Sequence, residues 1–131
     1  MAVLLAHLKV KDGKEDYFEA IQKGLWEQTW KHEPGVVRYE HYRGKEKGRY
    51  YAILGFRDFA GFIRHQTAEY HESPDWENIF DEVVLEWLDP IQGSNDLKPS
   101  LEQDLGDDLT ERERYYVTRT LLTREAWWPK V

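Results

Sequence analysis

The order in which the apolar residues change period limits this chain more than any other feature. Ala2–Val10 is a Val- and Leu-rich run interrupted by His7 and Lys9, and it reads as a strand. Lys11-Asp12-Gly13 turns the chain, and Asp12 followed by Glu15 has the form of a capping box. Over residues 14–32 the period becomes helical: Tyr17, Ile21, Leu25 and Thr29 fall four apart, with Phe18, Trp26 and Trp30 beside them. Pro34-Gly35 stops that helix. Val36–Arg43 and Arg49–Phe56 read as strands, joined antiparallel by the charged, glycine-flanked loop 44–48. Asp58 suits the N-cap of a second helix over 59–70, and Ser73-Pro74 has N-cap then N1 chemistry for a short helix through Ile79. Residues 82–88 complete the set as a fourth strand. The order β-α-β-β-α-β predicts a ferredoxin-like α+β domain with an antiparallel sheet over residues 1–92. Residues 93–111 are polar, acidic and rich in turn residues, a linker with room for one helical turn. Residues 115–123 are rich in Tyr, Val, Thr and Leu and read as a further strand. That strand and Trp127-Trp128 form an extension, 93–131, expected to pack on the domain or on a dimer partner.

Strand parity divides the sheet into two faces. One takes Leu4, Ala6, Leu8, Val10, Val37, Tyr39, His41, Ala52, Leu54, Phe56, Val83, Leu85 and Trp87, and is apolar enough for two helices to cover. The other takes Val3, Leu5, His7, Lys9, Val36, Arg38, Glu40, Tyr42, Tyr51, Ile53, Gly55, Arg57, Val84, Glu86 and Leu88. A solvated face would alternate more cleanly, and a dry core would not hold Arg38, Glu40 and Glu86. The mixture suits a partly wet cavity. The helices cannot cover both sides of one sheet, so the second face calls for the same sheet from another copy, a homodimer.

The chain contains no cysteine, which excludes a disulfide framework, a cysteine zinc site and a thiol nucleophile. A net charge of −7 argues against nucleic acid or an anionic membrane as partner. Nothing approaches the ~20 apolar residues of a membrane span, and the first residues lack the pattern of a signal peptide, so a cytoplasmic location is expected. Aromatic residues make up 15% of the chain, which fits large core side chains or a pocket for a flat organic ligand.

Two stretches carry a resemblance. Thr29-Trp30-Lys31-His32-Glu33-Pro34-Gly35 followed by Tyr39-Glu40 resembles the helix-to-strand junction of the antibiotic-biosynthesis-monooxygenase-like proteins of the dimeric α/β-barrel group. Phe56-Arg57-Asp58, then His65, then Ser73-Pro74, resembles that family's second junction and helix, where the aromatic is usually Trp and a His closes the helix. The match covers about residues 2–92. It implies homodimers with a ligand cavity between sheet and helices, and chemistry that ranges over cofactor-free oxygenation, haem degradation, isomerisation and polyketide cyclisation. Haem degraders pair an Asn on strand one with a Trp on the second helix. Here strand one has no Asn and His65 stands at the Trp-like position.

His65 matches the family's histidine, and an imidazole can exchange a proton at neutral pH. It is the expected acid/base, with Tyr51 and His7 as further catalytic candidates. Arg38, Glu40, Glu86 and His71 are candidates for holding substrate, by fixed charge, by ion pairing or as a lid. His65 and Glu69 have metal-ligand spacing on a helix, but no third ligand follows from the sequence, so neither a metal nor another cofactor is expected. The expected function is a small cofactor-independent enzyme that transfers a proton, with O2-dependent monooxygenation as one outcome, on a hydrophobic aromatic or polyketide-like substrate. A cyclase, isomerase or lyase without O2 would use the same residues, and so would a non-catalytic, stress-type small-molecule binder.

Overall fold

The computed structural model of the chain describes residues 1–91 and 104–119. Strands β1 (Ala2–Val10), β2 (Val36–Arg43), β3 (Arg49–Phe56) and β4 (Phe80–Trp87) form one antiparallel sheet in the order β2-β3-β1-β4. Helices α1 (Glu15–His32) and α2 (Phe59–Thr67) cover one face, joined by two single turns, α3 (Glu69–Glu72) and α4 (Trp76–Ile79). This is the ferredoxin-like α+β arrangement that the apolar periods imply. Among the described residues no helix is long and apolar enough to cross a membrane.

The core follows from strand parity. Leu4, Leu54 and Tyr39 stand in register, as do Ala6, Ala52 and His41, and all face the helices. Phe18 and Leu25 of α1 and Phe59, Phe62 and Ile63 of α2 close over them, buried. Tyr17, Trp26 and Trp30 are exposed, so the inward stripe is Phe18-Ile21-Leu25-Thr29 rather than one that starts at Tyr17.

Local differences from the sequence reading have local causes. A bulge between Val36 and Arg38 turns Val36 inward, buried, and leaves Val37 exposed beside Gly55, which reverses their expected faces. Asp12 does not cap α1; Gly13 at φ +82° makes the turn, Phe18 N–H donates to the Lys14 carbonyl, and the Asp12 carboxylate pairs with Lys47 of the hairpin loop. Asp58 does cap α2, accepting from Gly61 N–H at 2.8 Å. The second helix breaks at Ala68, which is extended at φ −61°, ψ 135°, so α3 is a separate turn. Ser73 closes α3, donating to the Tyr70 carbonyl, and does not open the next turn, which has Asp75 at its N-cap.

The strand expected over 115–123 is a helix in its described part, α5 (Glu111–Arg119). Thr110 and Glu113 form a reciprocal capping box: Thr110 N–H donates to Glu113 Oε1 at 2.8 Å, and Glu113 N–H to Thr110 Oγ1 at 3.1 Å. Val117, Leu105 and Leu109 are buried with the core, and α5 lies against α2. Trp127-Trp128 and most of the linker lie outside the described residues.

Candidate active site

The sheet makes room for a cavity at its centre. The row His41–Ala52–Ala6–Leu85 crosses all four strands, and its two alanines lie where the neighbouring row Tyr39–Leu54–Leu4–Trp87 has bulk. The volume left free is about 230 Å³. Leu8, Phe18, Leu25, Leu54 and Phe80 give it apolar walls, while Gln22, Tyr39, His41, His65, Gln66 and His71 supply the polar groups. A mostly apolar chamber with a few convergent polar atoms is the usual form of a small-molecule site.

His65 is its most constrained polar group. It sits in the last turn of α2, only 1% exposed. Its Nδ1 lies 2.9 Å from Glu33 Oε2 and 3.1 Å from Glu33 Oε1. Glu33 reaches it because α1 ends there: Pro34 forces the preceding residue out of the helix, and Glu33 has φ −117°, ψ 88°. Tyr70 of α3 donates its hydroxyl to the same carboxylate. Burial and that bond to Glu33 both keep the Tyr70 hydroxyl protonated, raising its pKa. The carboxylate thereby fixes the tautomer in which Nδ1 carries the proton, leaving Nε2 as the acceptor. Nε2 is buried and has no hydrogen-bond partner among the described residues.

Two more histidines flank this group. The His71 ring centroid is 4.6 Å from that of His65, and Trp76 Nε1 holds the His71 carbonyl at 2.9 Å. Burial first, then the nearby His65, lowers the His71 pKa to about 3. The same two causes in the same order lower that of His41 to about 4. Both rings are neutral at physiological pH and serve as hydrogen-bonding groups rather than charges. Tyr39 packs edge-on to His65 at 5.0 Å, and burial pushes its hydroxyl up to about 12.

The other sequence candidates are on the opposite face. His7 Nε2 lies 2.8 Å from Glu86 Oε2, and the His7 ring meets Tyr51 edge-on at 5.7 Å. Glu40 accepts from Tyr42 at 3.0 Å, and Arg38 stands opposite Gly55 in the β2–β3 register. The sheet therefore separates His7, Tyr51, Arg38, Glu40 and Glu86 from the chamber that brings His65 and His71 together. The expectation that His65 shares a ligand with Tyr51 or His7 is corrected: a β-sheet lies between them. The spacing of His65 and Glu69 does not make a ligand pair either, because the helix breaks at Ala68. No group of three or more His, Asp or Glu among the described residues is arranged to hold a metal ion. Glu33, Tyr70 and His41 escaped the sequence reading. His41 carried a usable signal, a histidine in the middle of an otherwise apolar strand face.

With this geometry in hand, the family model for antibiotic biosynthesis monooxygenases matches residues 1–73. The chain belongs to that family. The fold of its solved neighbours agrees. A Caulobacter crescentus protein proposed to be an antibiotic biosynthesis monooxygenase superposes with TM-score 0.64 at 24% identity, covering 70% of this chain and 90% of its own. A Bacteroides thetaiotaomicron protein described in the same way gives TM-score 0.64 at 18% identity, covering 78% and 94%. A Pseudomonas aeruginosa protein gives 0.62 at 22% identity, covering 69% and 93%. At these identities the likeness is one of fold. None of the curated proteins matches the chain.

Proposed function

We propose that this monooxygenase-family chain is a small enzyme that removes a proton from a hydrophobic aromatic substrate bound between sheet and helices, with His65 as the acid/base. One observation carries the reading: a fully buried imidazole that lines an apolar cavity of about 230 Å³ has one nitrogen anchored on a carboxylate and the other without a hydrogen-bond partner among the described residues. A structural histidine would satisfy both nitrogens. The substrate's acidic O–H or C–H gives its proton to Nε2. The Glu33 carboxylate offsets the charge that forms on the ring, as the third member of a catalytic triad does. Neutral His71 and His41 and the Tyr39 hydroxyl, which line the same cavity, would hydrogen-bond the substrate anion.

With O2 as second substrate, the anion's electrons pass to oxygen and the proton on His65 returns to the product. A C–O bond forms as a hydroperoxide, which loses water to leave a carbonyl on the oxidised carbon. The open sheet face, with Val37, Tyr42, Tyr51 and Val84 exposed, is the surface for a second copy of the chain, which would enclose the His7–Glu86 pair.

The test is turnover of hydroquinone- and anthrone-type substrates with O2 uptake. His65→Ala should lower kcat by about 10²–10⁴-fold while ligand affinity is kept. An unchanged kcat in a folded His65→Ala protein would refute the assignment.

A further inference from the structure

The extension grips the α2–α3 segment that carries His65 and His71. A helix that ends leaves its last carbonyls without partners, and the break at Ala68 creates such an orphan inside the α2–α3 segment. His71 N–H and Glu72 N–H both turn back to the Ala68 carbonyl, at 3.0 and 3.1 Å, so neither reaches Thr67. The Thr67 carbonyl is taken instead by Arg112 of α5, whose Nη1 donates at 2.7 Å. The other terminal nitrogen of the same guanidinium pairs with the Glu72 carboxylate. One planar fork thus spans the break, gripping α2 two residues after His65 and α3 one residue after His71. Arg112 is held in place by its own helix, with the Thr110–Glu113 box at its start and Val117 buried. A second tie runs from the Tyr116 hydroxyl to Gln66 Oε1 at 3.3 Å, and Gln66 lines the chamber.

We propose that Arg112 is a positioning residue for the chamber, fixing α3 against α2 so that the His71 ring is held against that of His65, tilted by 57°, at the cavity wall. This element lies outside the region that the family model matches, residues 1–73. Arg112 is suited to the task because a guanidinium offers two parallel donors in a fixed plane, which a lysine cannot. The catalytic consequence rests on the proposed function of the chamber; the positioning does not.

The test therefore reads the imidazoles directly. The groups facing His71 are His65 from α2, His41 from β2, the Gln66 backbone and, through His65, Glu33 from the end of α1. In the intact chain, ring ¹⁵N NMR should find His71 neutral at every pH at which the chain stays folded, because its midpoint lies far below the ordinary value. In Arg112→Ala, α3 is released, water reaches the ring, and the midpoint should rise by about one unit or more toward the free value of about 6.5. Arg112→Lys should fall between the two, and Glu72→Gln, which removes the charge from one of the two acceptors but leaves the arginine, should also raise it. Should Arg112→Ala fail to fold, Glu72→Gln and Arg112→Lys carry the same comparison. A His71 midpoint unchanged in every folded variant would overturn the proposal. So would an equal rise at His41 and His71, which marks general loosening. Neither result depends on turnover, so both are separate from a failure of the enzyme reading.

Discussion

The chamber histidines make stability depend on pH in a specific window. His41 is held near 4 and His71 near 3, against an ordinary value of 6.5. The native state keeps both rings neutral, whereas the unfolded chain protonates them as pH falls below 6.5. The stabilisation is therefore full above pH 6.5 and lost on acidification. One pKa unit is worth about 1.4 kcal/mol, so lowering the pH from 7 to about 4.5 should remove roughly 2–3 kcal/mol per histidine. About 5 kcal/mol for the pair is a large share of the ~5–15 kcal/mol that stabilises a typical domain. Glu19, whose carboxyl is held near 2 by Arg43 and Tyr50, adds its own acid sensitivity only below its ordinary value of 4.5. The window between 6.5 and 4.5 thus belongs to the histidines. Urea unfolding followed by tryptophan fluorescence at several pH values should show stability falling by up to about 2.7 kcal/mol per unit. His41→Gln and His71→Gln should each remove about half of that slope. A slope under ~0.5 kcal/mol per unit, or one untouched by both substitutions, would refute burial of neutral imidazoles here.

Other outcomes follow from particular positions. Gly48 has φ +74°, and a Cβ there would lie 2.8 Å from the Val10 carbonyl oxygen. Gly48→Ala should cost about 2 kcal/mol, read as a fall in Tm of roughly 5–10 °C. Gly24, inside α1 with open space around it, gives the opposite sign: Gly24→Ala should stabilise by about 0.5–1 kcal/mol. Sedimentation at micromolar concentration should give about twice the chain mass of 15.7 kDa. A monomer would show that the exposed sheet face needs no second copy.

The parts of the fold legible in the sequence are those where one period runs uninterrupted. The apolar run Ala2–Val10 forms β1 with the bounds expected, and Asp58 caps α2 as its position predicts. The failures have physical causes. A one-residue bulge at Val36 exchanged two faces, because parity counting assumes a regular ladder. Residues 115–123 looked like a strand from their Tyr, Val and Thr content. Thr110-x-x-Glu113 was nonetheless a readable helix start, and burial of Glu113 and Val117 four apart overrode local propensity. At the site, His65 and His71 were found through single residues. Glu33 was not, because its role arises only where the end of α1 meets the end of α2, a contact across 32 positions of sequence. The mixed charges of the second face drew the reading toward His7 and Tyr51, whereas the chamber lies on the helix-covered face, where His41, His65 and His71 converge.

The account's central claim is that His65 presents a proton-accepting Nε2 to a ligand in the chamber, held so by Glu33. Ring ¹⁵N NMR of His65, with and without a naphthol as a phenolic probe, tests it most directly. The neutral ring should carry its proton on Nδ1, the Nε2 resonance should move when the naphthol binds, and Glu33→Gln should abolish the tautomer preference. A proton found on Nε2 in the free protein, or an Nε2 signal unmoved by a naphthol that fills the chamber, would contradict the claim.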